Sequence, residues 1–138
     1  MKKLITLSYL IYLLLVPISF ANSQNCEQNE AVDVVKVFLN ALIGGDTQTI
    51  RESLGGDLLN KRKKLLDNPN YAMFLEDTYG DARFEINDCK RINMGRIMVS
   101  ATVFLKNNET RKMEFLLIRE TTNIGQNTRY LIYKQITN

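Results

Sequence analysis

The chain contains no histidine and no tryptophan, and only two cysteines and two prolines among its 138 residues. The missing histidine removes both the commonest general base and the commonest metal ligand. Acid–base chemistry would fall to carboxylates, and the sequence predicts no catalytic set, no cofactor and no metal site. Charge of one sign is also scarce. Lys2 and Lys3 precede an apolar run from Leu4 to Phe20, which reads as a targeting segment cleaved after Ala21 or Ser23. That run is shorter than the ~20 residues a membrane span needs. Removing Lys2 and Lys3 leaves 16 of the 18 basic residues against 15 acidic ones, a net charge of +1. Nucleic-acid binding usually needs a strongly basic domain, so that partner is not expected. Residues 1–23 are therefore assigned as a signal peptide and residues 24–138 as one exported domain, periplasmic or secreted and not membrane-bound after cleavage.

About 115 residues suffice for a single core. The stretch Glu30–Asp46, EAVDVVKVFLNALIGGD, places Ala31, Val34, Val35, Phe38, Leu39 and Leu42 on one helical stripe. Gly44-Gly45 should stop this helix, and Asp46 should cap the next, Thr47–Leu54, which Gly55-Gly56 ends. Asp57 is expected to cap a third helix, Leu58–Leu66, and Asn70 a fourth, Tyr71–Tyr79, after the break at Asn68-Pro69. From Ala82 the period changes to two. Four strands are predicted at 82–92, 96–106, 111–120 and 128–136, with Asn107-Asn108-Glu109 as a hairpin turn. Helices followed by short-linked antiparallel strands make an α+β fold, with the helices on one face of the sheet.

Val34–Ile50, VVKVFLNALIGGDTQTI, and Tyr71–Ile86, YAMFLEDTYGDARFEI, resemble the opening helices and the third-helix-to-strand passage of the nuclear transport factor 2-like superfamily. The resemblance implies a curved sheet wrapped around helices as a cone, often with a pocket at its open end. It carries no catalytic motif. Enzymes of that superfamily, such as ketosteroid isomerases and small dehydratases, work with a pocket Asp, His or Tyr. Here the available carboxylates are Asp77, Asp81 and Asp88.

The leading expectation is a non-enzymatic binding module for a protein partner or a small apolar or anionic ligand. Tyr71, Phe74, Tyr79 and a rim arginine, Arg119, are its candidate ligand residues, and Lys61, Arg62, Lys63 and Lys64 a candidate interaction patch. One alternative is an isomerase or hydrolyase using one of the three aspartates. Another is a dimeric structural or immunity-type subunit that pairs through Met98, Phe104, Leu116 and Ile118 on the outer sheet face. Cys26 and Cys89 would meet oxidising conditions after export. Their bridge would close a loop of roughly 60 residues, contributing about 4 kcal/mol in the chain-entropy account. Counting by two from Phe84 and Ile86 puts Cys89 on the outer face. The bridge therefore requires a bulge near Asn87 or an N-terminal segment wrapped around the sheet edge.

Overall fold

A computed structural model describes residues 29–121 and 128–138. The targeting segment and Cys26 lie outside the described residues. Four helices, α1 (Glu30–Gly44), α2 (Thr47–Ser53), α3 (Gly56–Leu66) and α4 (Tyr71–Tyr79), precede four strands. The strands are β1 (Arg83–Asn93), β2 (Arg96–Phe104), β3 (Thr110–Thr121) and β4 (Thr128–Thr137), paired antiparallel in the order β1-β2-β3-β4. The sheet is open and curled, and the expected α+β cone is the architecture found.

α1 is the element on which the sheet closes, touching β1, β2 and β4 as well as α2 and α4. Asn29 starts it by accepting the Ala31 N–H at 2.8 Å. Its buried stripe is Ala31, Val32, Val35, Phe38, Leu39, Ala41 and Leu42. Val34 of the expected stripe is only partly buried, because α2 and α4 flank α1 and widen the covered arc toward Val32 and Ala41. Phe38 meets Phe115 of β3 edge-on, with centroids 5.6 Å apart and rings at 72°. Ile97, Val99, Ala101 and Val103 of β2 alternate inward around that contact, as do Met113, Phe115 and Leu117 of β3.

The helix stop is a left-handed cap: Gly45 has φ 66°. Asp46 then accepts the Thr49 N–H at 3.0 Å and the Thr49 hydroxyl at 2.6 Å, as expected of the α2 cap. Two other caps need correction. Asp57 does not cap α3. The helix begins at Gly56 with Gly55 in the cap position, so Asp57 sits in the first turn and favours the helix only through its charge. Asn70 precedes α4 but makes no side-chain cap; the Asn68 side chain instead accepts the Asn70 N–H at 2.9 Å.

Gly55-Gly56 also serves a purpose other than ending α2. Leu54 bridges to Ile132, and the Gly55 N–H donates to the Ile132 carbonyl at 3.0 Å, so this segment covers the β4 edge. The Tyr133 ring lies flush against both glycines, and a Cβ on Gly56 would come within 2.5 Å of it. This cover explains why adjacent residues of β4, Leu131 and Ile132, are both buried.

Replacing Gly45 with alanine should destabilise the fold by roughly 1–3 kcal/mol. The new Cβ would carry a positive φ and lie 2.9 Å from the Ala72 carbonyl oxygen. Urea unfolding of the Gly45→Ala chain would read this as a lower midpoint with an unchanged slope.

Candidate functional site

Asn87 decides which side chains of β1 face inward. Ile86 pairs with Ala101 and Asp88 with Ser100, so Asn87 is an extra residue in the ladder. Its side chain donates to the Thr102 hydroxyl at 2.7 Å on the outer face, pinning the bulge there. Beyond it the alternation is inverted. Cys89 pairs with Val99 and is 8% exposed, so the bulge expected near Asn87 is present and Cys89 faces inward. By the same inversion Arg91, opposite Ile97, points to the concave side.

Arg91 and Arg119 thereby reach one cleft at the end of the sheet where the Met94-Gly95 turn meets the ends of β3 and β4. The cleft has a volume of about 330 Å³ and is lined by Arg91, Met94, Gly95, Arg119, Thr121, Thr128 and Tyr130. Tyr130 forms its buried floor, with the Arg119 guanidinium 5.4 Å above its ring. The Arg119 backbone is fixed by its N–H donating to the Gly95 carbonyl at 2.8 Å. Thr121 and Thr128 face one another across β3 and β4 and bring two hydroxyl donors. Opposing this charge is Glu30 at the start of α1, whose Oε2 accepts from Arg119 Nη2 at 3.4 Å. Among the described residues Arg91 has no ion pair. Two guanidiniums facing one cleft repel each other, and an anion between them would relieve that repulsion while taking paired N–H donors.

The other expected site residues lie elsewhere. Tyr79, at the end of α4, meets Arg111 at the far end of β3, and Arg111 is eight strand residues, about 26 Å, from Arg119. There its hydroxyl accepts from Arg111 Nη1 at 3.3 Å, and Arg111 also holds Glu109 at 3.0 Å. Tyr71 is buried, which raises its phenol above the ordinary range, and Phe74 stacks on it at 6.0 Å while remaining 58% exposed. The four candidate ligand residues therefore do not share one pocket.

Asp77, Asp81 and Asp88 are all exposed. Asp81 borders a polar cavity of about 260 Å³ with Arg83, Lys106 and Glu109 at the Tyr79 end. Of the basic cluster, Arg62 is tied to Gln135 of β4 at 2.8 Å and Lys63 to Asp67 at 2.7 Å. Only Lys61 and Lys64 of that cluster project without a described partner.

No family model and no curated protein matches the sequence. Two solved structures resemble the chain. An NTF-2-like protein of unknown function from Shewanella oneidensis MR-1 aligns at TM-score 0.52 and 16% identity, over 78% of this chain and 95% of that one. A SEC-C motif-containing protein from Psychrobacter arcticus aligns at TM-score 0.62 and 10% identity, over 77% of this chain; the match spans 59% of that protein. At these identities the likeness is one of fold. The chain is an α+β protein with the architecture of NTF-2-like proteins.

Exposed ion pairs set one pH response. Lys63, and then Arg51, hold the Asp67 carboxyl below its ordinary value of 3.8; Arg111, and then Asn107, hold Glu109 below 4.5. A depressed folded pKa contributes stability that is complete above the ordinary value and is lost as pH falls through the folded one. The urea midpoint should therefore be flat above pH about 5 and fall below pH about 4. Asp67→Asn should flatten that fall.

Proposed function

We propose that the protein is an exported, non-enzymatic binding module that holds a small anionic group, carboxylate or phosphate, in the cleft between Arg91 and Arg119. The observation that carries this reading is the convergence of two guanidiniums and two threonines on a cleft with no carboxylate among its described lining residues, beside which Glu30 engages Arg119 at 3.4 Å. The centre of the cone supports binding at the rim, since Phe38, Phe115, Leu39 and Leu117 fill it and are at most 1% exposed. The exposed positions of Asp77, Asp81 and Asp88 give the carboxylate-enzyme alternative no buried base to build on.

Export is supported by the composition of residues 1–23, and the inward face of Cys89 supports its pairing with Cys26 under the oxidising conditions that export brings. We assign the Cys26–Cys89 pairing on that basis.

Calorimetric titration with inorganic phosphate and with a dicarboxylate tests the cleft. Arg91→Gln and Arg119→Gln should each weaken binding about tenfold or more, as loss of a charge-assisted hydrogen bond does. Glu30→Gln should strengthen it by freeing Arg119. A wild-type chain that takes neither anion would end the reading. For the pairing, unfolded protein should expose no reactive thiol until a reductant is added; two thiols reactive beforehand would refute the bridge.

A further inference from the structure

The turn of the β1–β2 hairpin forms one wall of the cleft and carries exposed apolar side chains. Met94, in the two-residue turn, is 94% exposed, and Ile92 is 51% exposed. The segment Lys90–Arg96, KRINMGR, holds three cations and no acid. The pairing distributes these charges around the hairpin. Lys90, opposite Met98, and Arg96, opposite Ile118, lie on the outer face; Arg91 and Arg119 lie on the inner one. All four sit within about 13 Å of the tip along the strands.

We infer that this hairpin tip docks on an anionic membrane surface, with Ile92 and Met94 entering the interface and a lipid headgroup phosphate offered to the Arg91–Arg119 cleft. The inference rests on the anion reading of that cleft. A flat protein face could meet the cations on one side of the hairpin only. A yielding, negatively charged interface surrounds the tip and engages both sides. A convex apolar tip likewise needs no matching pocket in a partner when the partner is lipid. Among the described residues no helix is long and apolar enough to cross a membrane.

The test is co-sedimentation of the exported chain, residues 24–138, with vesicles of phosphatidylcholine, with and without roughly one-third phosphatidylglycerol, alongside phosphate titration. The wild type should prefer the anionic vesicles, and added salt should weaken the preference. Lys90→Gln with Arg96→Gln should weaken vesicle binding about 25-fold, near fivefold per charge, with phosphate affinity unchanged, because neither residue lines the cleft. Ile92→Ser with Met94→Ser should weaken it about tenfold or more.

With residues 1–23 removed from every variant, as in the exported protein, equal vesicle binding by the wild type and the Ile92→Ser/Met94→Ser chain overturns the inference. Phosphate binding without preference for anionic vesicles overturns the docking and leaves the cleft reading standing. Absence of phosphate binding overturns the cleft reading and the headgroup assignment with it. Polyglutamate binding that survives loss of Ile92 and Met94, with no vesicle binding, assigns the cations to an acidic protein and overturns the membrane.

Discussion

Phe38 standing edge-on to Phe115 fixes how the helical layer sits on the sheet. Each ring is fully buried, and burial of such a side chain stabilises by roughly 1.5–3 kcal/mol before the edge-to-face term. Because α1 lies against β1, β2 and β4, that contact holds the curl of the sheet as well as the position of the helix. A curled sheet filled at its centre leaves concave surface only toward its ends, and there the clefts form. Edge protection follows from the same arrangement. At β4 the Leu54–Gly55 segment takes the unpaired groups, and at β1 the bulges near Asn87 and Ile92 interrupt a flat edge.

One extra residue in β1 then sets the chemistry of the rim. Without the bulge at Asn87, Cys89 and Arg91 would face outward, the cleft would hold a single arginine, and Glu30 alone could answer it. With the bulge, two guanidiniums share the concave side, and the same inversion carries Cys89 into the core. A structural cysteine and a candidate anion ligand are thus coupled through one register shift, pinned by the hydrogen bond from Asn87 to Thr102. The hairpin beyond it combines the two properties that suit an interface between water and lipid, an apolar end and cations on both faces.

Much of the fold was legible along the chain. The α1 stripe, the Gly45 stop, the Asp46 cap and the Asn107–Glu109 turn are local devices, decided by neighbours within a few residues, and all are present. The misplaced caps at Asp57 and Asn70 are local too, each displaced by a residue one or two positions away; what the sequence hid altogether depends on distant partners. Gly55-Gly56 follows the end of α2 as expected, but nothing in the sequence announces that the Ile132 carbonyl and the Tyr133 ring will lie against it. Arg119 was visible as a rim residue by counting along β3. Arg91 was not, since counting by two fails across a bulge and a bulge leaves little trace in the residues around it.

Sequence alone determined the order of the elements, the α+β class and the lack of histidine-based chemistry, because periodicity, capping and composition act locally or not at all. Tertiary structure decided which cations meet, which candidate residues stay apart and which end of the cone carries the arginine cleft. These depend on register and sheet curvature, and both are set by contacts between residues dozens of positions apart.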